Sequence, residues 1–330
     1  MTVASVLDIP ELPLSGIPLL TVIIPTTAQT SRKAYLLRAL GSTQQQTGCQ
    51  VRIVVVVNGE SFDSELLAQM ASVPNVVVEQ ISTPSLPGAL AHGRSCVDTK
   101  YFCFLDDDDE LLPNTLGMRI DVMEHDANLD VLVTNGFNII DGVEMHRLPP
   151  ALPQGTGLLH SLIRQNWLAS CGGIYRSDRI PVQYFANLIP CYEWTTVALR
   201  LALERNICFL DVMSYRVHDT PGSLSKSDEF IVGSVRIVKE MLGMPLPSDV
   251  HDAVRRQLAP AMHSVSDHFR RRRVWREAWR YHLNSLLHRG GLRYLTYTRH
   301  LIWRGSQPGV SGNGAAARRQ SDDSGPSRHP

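Results

Sequence analysis

The chain has no C-x-x-C pair. Its six cysteines stand apart at positions 49, 96, 103, 171, 191 and 208, so neither a zinc ribbon nor a thioredoxin-type redox site is expected. Nor is there the dense cysteine framework of a small secreted domain, and reduced thiols in the cytoplasm are the expectation. No lysine or arginine precedes Arg32, so the start lacks the charged n-region of a signal peptide. Long apolar runs are missing too. The purest, Ile53 to Val57, is far too short to span a bilayer. Net charge is zero, with 32 Lys+Arg against 32 Asp+Glu, which argues against a wholly basic nucleic-acid binder.

What is present is a chain of 330 residues, 43% hydrophobic and 19% charged. That is enough to bury a core in one large domain or two smaller ones. The zero balance hides an asymmetry. Residues 1–254 carry 17 basic residues against 28 acidic ones, whereas residues 255–304 carry 12 arginines against only Asp267 and Glu277. An acidic body therefore bears a basic appendage.

Residues 1–17, with Pro10, Pro13 and Gly16, read as a leader with little structure of its own. Apolar runs then recur: Leu19 to Ile24, Val51 to Val57, Val76 to Val78 and Tyr101 to Leu105. Each reads as a buried strand. Residues 32–40 and 88–96 between them read as helical. Such alternation implies βαβ units and a mainly parallel sheet. Further strands are expected at Val131–Val133, Phe137–Ile140, Ile207–Val212 and Met213–Val217, with an amphipathic helix opening at Glu193. Residues 149–157 read as a Pro- and Gly-rich loop. From about 230 the pattern is helical, and residues 305–330 read as a disordered tail.

Ligands of such sheets sit beyond the carboxyl ends of the strands. The residues there are Pro25, Thr26 and Thr27 after the first strand, Asn58 after the second and Asp106–Asp109 after the fourth. Four adjacent aspartates repel one another and cannot all be buried unpaired. They could open a helix, or they could hold a hard cation such as Mg²⁺ or Mn²⁺. On an extended segment, Asp106 and Asp108 would face the same side.

Thr21 to Thr26, Val54 to Gly59 and Phe104 to Glu110, in this order and spacing, resemble the family 2 glycosyltransferases of the nucleotide-sugar-binding GT-A fold. The likeness covers residues 19–227, about two-thirds of the chain. It implies an α/β GT-A domain over residues 18–228, then a basic helical extension at 229–304. It also implies an inverting, metal-dependent transfer from a nucleotide diphosphate sugar, with a UDP-sugar the expected donor. The acceptor would be a hydroxyl of a glycan, polysaccharide or lipid-linked molecule.

The same resemblance suggests roles. Thr26 and Thr27 would lie near the base, and Asp107 in the donor site. Asp106 would approach the ribose or the metal, and Asp108, in the D-x-D motif, would hold Mg²⁺ or Mn²⁺. Asn58 stands where the family has Asp, which leaves the choice of base open. Arg94 would meet phosphate or lie on a solvated helix face. Glu193, in Cys191-Tyr192-Glu193-Trp194, aligns with the general base, though it could instead only complete a helix start. His218, in Tyr215-Arg216-Val217-His218 with Ser223 and Ser225 beyond, would join the metal or have a structural role. Asn166, Trp167, Gly172, Gly173 and Trp194 fall in the acceptor and sugar loop, where the two glycines could equally form a plain turn. Two competing readings are an inactive binding protein of the same fold and a sugar-phosphate nucleotidyltransferase. The latter is disfavoured because Pro25-Thr26-Thr27-Ala28 is not its Gly-rich basic loop.

The basic appendage places Arg270–Arg273 beside Trp275, Trp279, Tyr281, Leu283, Leu287, Leu292, Leu295, Ile302 and Trp303. Interleaved arginines and apolar residues at helical spacing suit an anionic membrane surface over residues 268–304, or packing on the acidic body. Nucleic acid is not expected as a partner. The chain would be cytoplasmic, or peripheral at the cytoplasmic face of the membrane if these helices engage lipid.

Overall fold

A computed structural model describes residues 17–149, 157–221, 223 and 227–302. The expected leader (but for Ile17), the tail, Ser225, Trp303 and nearly all of the Pro- and Gly-rich loop lie outside them.

Four parallel strands open the fold: β1 (Leu20–Thr26), β2 (Val51–Asn58), β3 (Val76–Ile81) and β4 (Tyr101–Phe104). β1 lies centrally between β2 and β4, and β3 flanks β2. β1, β2 and β4 are buried on both faces because helices cover both sides, whereas β3, expected as a buried strand, lies at the sheet edge and is only half-buried, with Gln80 exposed. Val22, Ile24, Ile53 and Val55 pack against Leu36 and Leu40 of α1 (Lys33–Gln44), Leu66 and Met70 of α2 (Ser64–Ala71), and Ile120 of α4 (Thr115–His125). The alternate residues Ile23, Val54, Val56 and Phe102 pack against Ala89 and Leu90 of α3 (Leu86–Ser95), and Leu199 and Leu201 of α6 (Glu193–Glu204). The period-2 geometry of a strand thus feeds two separate cores from one apolar run.

The sheet continues through short antiparallel additions. Its order is β3-β2-β1-β4-β8-β6-β9-β5, with β7 paired to β6. The added strands are β5 (Glu110–Leu111), β6 (Val131–Ile140), β7 (Val143–His146), β8 (Gly173–Arg176) and β9 (Ile207–His218). β6 and β9 run in the direction of β1–β4, and β5, β7 and β8 oppose it. The sheet is therefore mostly parallel, as expected.

Two expectations need correction. The strands expected at 131–133 and 137–140 are one strand, β6, and those at 207–212 and 213–217 are one strand, β9. The polar residues between the first two, Thr134 and Asn135, are buried and satisfied. Thr134 and Ser214 join their hydroxyls at 2.6 Å. Asn135 donates to the Leu148 carbonyl at 3.1 Å and to Asp211 at 2.9 Å. A paired polar side chain costs little to bury, so the strands run on through an irregular register near Asn135.

Helices α5 (Gly157–Arg164), α7 (Asp228–Leu242) and α8 (Ser248–Arg271) complete one face. Ile237, Met241, Val250 and Val254 belong to the same core as the sheet, so the helices beyond residue 228 share the domain's core. α9 (Trp275–Leu287) and α10 (Thr298–Ile302), joined by a 3-10 segment, pack beyond α8. Gly290, with φ +78°, takes the left-handed turn that separates them and has no Cβ to oppose it. Among the described residues, no helix is long and apolar enough to cross a membrane.

Candidate active site

The carboxyl ends of β1, β2 and β4 converge on one edge of the sheet. There a cavity of about 610 Å³ is lined by Pro25, Thr26, Thr27, Asn58, Asp106, Asp107 and Asp108. Seven residues scattered over 84 positions of sequence, each singled out for the donor, therefore share one pocket. The polar residues after β1 are tied down. Thr26 donates to Asp107 Oδ2 at 2.6 Å and accepts from the Ala28 backbone N–H at 2.9 Å. Asn58 accepts from the Ser85 backbone N–H at 2.6 Å, which fixes the start of α3 against the pocket.

The four aspartates are not extended, contrary to expectation. The Asp109 N–H donates to the Asp106 carbonyl at 3.0 Å, closing a turn. That turn spreads the four carboxyls, with Asp107 and Asp108 sharing Arg32, which helps the segment tolerate their repulsion. Asp107 takes a forked ion pair from Arg32. Asp108 accepts from Thr220 Oγ1 at 2.5 Å and lies 3.3 Å from the same Arg32 guanidinium. Arg38 donates to the Asp108 carbonyl. Asp109 is buried and accepts from the His218 backbone N–H at 3.0 Å. Burial, then Asp106 and Asp108, push its carboxyl well above the usual range.

Asp106 has no cation of its own. Burial, followed by the charge of Asp108, pushes its carboxyl up to about 7. Asp106 is hydrogen-bonded to Ser170 and lies beside Asp108; neighbouring carboxylates suit a divalent cation, and Mg²⁺ is commonly held by one or two carboxylates plus substrate phosphates. Asp106 and Asp108 therefore fit such an ion on the chemistry of the donor set. His218 does not complete it. Its Nε2 faces Glu110 at 3.3 Å, and burial together with Arg38 lowers its pKa. Among the described residues, the one trio of His, Cys, Asp or Glu whose ligand atoms converge is Glu79, His92 and Cys96.

A second cavity of about 730 Å³ opens beside the first. Both are lined by Asp106 and Glu193, along with Leu86, Cys191 and Ser223. Glu193 is the first residue of α6, 5% exposed, and its Oε1 accepts from the Cys191 N–H at 3.2 Å. Cys191 holds φ +65°, a left-handed conformation that turns the chain into the helix. Burial raises the Glu193 pKa, opposed by backbone hydrogen bonds and assisted by Glu229. Asn166 and Trp194 also line this second cavity. Asn166 donates to Thr195 Oγ1 at 3.3 Å, and the Trp194 ring packs edge-on to Phe104 at 5.2 Å.

Four residues expected at the site are elsewhere. Arg94 neither meets the phosphate pocket nor lies in solvent. It donates to the carbonyls of Ile180 and Ser177 at 2.9 and 2.6 Å and lies 4.5 Å over the Phe102 ring. Trp167 is fully buried, its Nε1 bonded to the Leu158 carbonyl at 3.1 Å. Gly172 and Gly173 are packing glycines. A Cβ at Gly173 would stand 2.5 Å from the Tyr175 hydroxyl, and the Gly172 carbonyl accepts from Arg119 at 2.9 Å. Conversely, Arg32 and Ser85, which line the first cavity, and Thr220, which holds Asp108, escaped sequence reading. Arg32 had one signal: it is the chain's first cation, placed just after the polar end of β1.

Comparison with known proteins agrees with this geometry. The glycosyl transferase family 2 model matches residues 21–177. An uncharacterized glycosyltransferase of Rickettsia prowazekii is 28% identical over 124 residues, and one of Rickettsia typhi is 27% identical. Each match spans 38% of this chain and 38% of the relative's length. Residues 1–349 of S. aureus TarS share the fold with a TM-score of 0.52 at 21% identity, covering 76% of this chain and 71% of that one. The same TarS fragment in complex with UDP-GlcNAc gives a TM-score of 0.54 at 20% identity, covering 76% and 72%. The segment similar to glycosyl transferase family 2, residues 21–177, carries Thr26, Asn58 and Asp106–Asp108 of the first cavity, and the fold is shared with TarS.

Proposed function

We propose that the chain is an inverting, metal-dependent transferase that moves a sugar from a nucleotide diphosphate donor, with a UDP-sugar as the first candidate, to an acceptor hydroxyl. One observation carries the reading: two cavities meet at Asp106 and at a buried Glu193 whose pKa is raised by that burial. The smaller takes the nucleotide, with Thr26, Thr27 and Asn58 toward the base and Asp106–Asp108 toward the diphosphate. TarS in complex with UDP-GlcNAc, a protein of the same fold, supports the choice of donor. Mg²⁺ or Mn²⁺ held by Asp106 and Asp108 supplies charge stabilisation for the leaving diphosphate. Glu193 removes the proton of the acceptor hydroxyl. That oxygen bonds to the anomeric carbon from the face opposite the diphosphate. The bond between the anomeric carbon and the phosphate oxygen breaks, and its electron pair leaves with the nucleotide.

The larger cavity receives the acceptor. One side of its wall is apolar, built from Leu162, Ile163, Phe230, Ile237, Met241 and Val254 of α5, α7 and α8, while Arg147, Arg164, Gln165 and Gln257 also line it. Such a wall gains by burying apolar surface, which favours a lipid-linked acceptor over a bare glycan. The test is a thermal-shift screen of UDP-, GDP-, dTDP- and CMP-sugars with Mn²⁺ and with EDTA. A ligand of the native state raises the melting temperature. One nucleotide class is expected to do so, only with metal, and not in Asp108→Ala. No shift from any donor in folded protein would favour the inactive binding-protein reading.

The basic helices support a second contact, with an anionic membrane surface. Leu283, Leu287, Leu292, Leu295 and Ile302 are exposed, the least of them 54%. Arg276, Arg280, Arg289, Arg293 and Arg299 are exposed among them. The full chain is expected to sediment with phosphatidylserine vesicles, and Leu287→Glu with Leu292→Glu to weaken that binding by at least about tenfold. Equal sedimentation of wild type and variant would remove the membrane role.

A further inference from the structure

We propose a divalent-cation site, suited to Zn²⁺, formed by Glu79, His92 and Cys96 and separate from the aspartates of the donor pocket. None of the three lines either cavity. His92 and Cys96 are four residues apart on α3, hence on one helix face, and Glu79 comes from the adjacent strand β3. His92 Nε2 lies 3.2 Å from Glu79 Oε2 and 3.8 Å from Cys96 Sγ, and all three ligand atoms fall within 4.8 Å of one another. A tetrahedral zinc with ordinary Zn–N, Zn–O and Zn–S lengths has ligand–ligand edges of about 3.3 and 3.6 Å. The His92–Glu79 and His92–Cys96 distances lie within a few tenths of an ångström of those edges.

Hydrogen bonding alone explains the trio poorly. Glu79 and Cys96 approach the same ring nitrogen, so the histidine does not relay between them. A protonated Nε2 can donate to the carboxylate but no longer accepts from the thiol, which is left with the Ser95 side chain. A bare Nε2 can accept from the thiol but then opposes its lone pair to the carboxylate. A cation at the centre lets all three donate at once. A carboxylate and a thiolate would also balance a 2+ charge. The neighbouring cation that would compete, Arg52, is paired with Asp98. His92 and Glu79 are 35% and 38% exposed, which leaves an entry path and a fourth position for water, as in open zinc sites. Metal here would pin one end of α3 to β3. The other end of α3 forms the donor-pocket wall through Ser85 and Leu86, so the ion would brace that wall. Counting C-x-x-C pairs misses this site because its ligands come from a strand and a helix.

The test uses untagged full chain stripped with EDTA and titrated with ZnCl₂ alone. One equivalent is expected to bind, to raise the melting temperature, and to protect Cys96 from iodoacetamide as read on its peptide by mass spectrometry. Cys96→Ser and His92→Asn should each weaken binding beyond the roughly 10–100-fold that changes outside the ligand shell cost, while Asp108→Ala keeps it. Two conservative variants guard against a folding defect in either. Absence of stoichiometric binding, equal binding by wild type and both variants, or loss only in Asp108→Ala would each overturn the site.

Discussion

Glu193→Gln is expected to lower kcat by about 10²–10⁴-fold, the range that a positioned general base contributes. The amide keeps the size of the side chain and can still accept the Cys191 N–H, so α6 and its entry turn should hold. It cannot take a proton. Donor-induced thermal stabilisation should therefore survive while turnover collapses. The pH profile gives a second readout. Burial raises the Glu193 pKa above its ordinary 4.5, and the base must be ionised to act. Activity should then rise with pH through an acid limb lying above 4.5, and that limb should vanish from the residual activity of the variant. Loss of donor binding along with turnover would reassign Glu193 to holding the helix start.

Asp106→Asn should trade function for stability. In the metal-free protein the Asp106 carboxyl is raised from 3.8 to about 7, by burial first and Asp108 second. Between these values the folded chain holds a proton that the unfolded chain has released, so stability falls as pH rises from about 4 to about 7. Asparagine removes that ionisation. In EDTA at pH 7.5, urea unfolding should find the variant more stable by about 1–3 kcal/mol, below the full cost implied at about 1.4 kcal/mol per pKa unit. The advantage should shrink toward pH 5, where the wild-type carboxyl is protonated. Stabilisation by donor with Mn²⁺ should disappear. A variant less stable than wild type at both pH values would show that hydrogen bonds accepted by the carboxylate outweigh its burial.

This trade-off also explains how the site is built. Three of the four aspartates are anchored: Asp107 to Arg32, Asp108 to Thr220 and Arg32, and Asp109 to the His218 backbone. Asp106, which touches both cavities, is the strained one. A substrate complex that brings positive charge to it relieves a cost already present in the free protein, which favours binding where the chemistry needs it.

Much was legible in the order of residues alone. Unbroken Val and Ile runs could only be strands buried on both faces, and the polar residues ending them had to line one edge of the sheet. Thr26, Asn58 and Asp106–Asp108 were found that way, whereas the role of Glu193 came from the family resemblance, its place at a helix start alone leaving it open. What tertiary structure decided was the fate of side chains whose partners lie far along the chain. Arg94 read as a phosphate ligand because a cation near a pocket is electrostatically suited to one, yet carbonyls more than 80 residues away claim its guanidinium. Asn135 read as a strand end, yet Asp211 and Leu148 satisfy it in mid-strand. The convergence of Glu79 with His92 and Cys96 depends on how α3 packs against β3. Local pattern reports which groups must leave water. Only packing determines which polar partner each one meets, because hydrogen bonds are short-ranged and their partners are brought together by the fold.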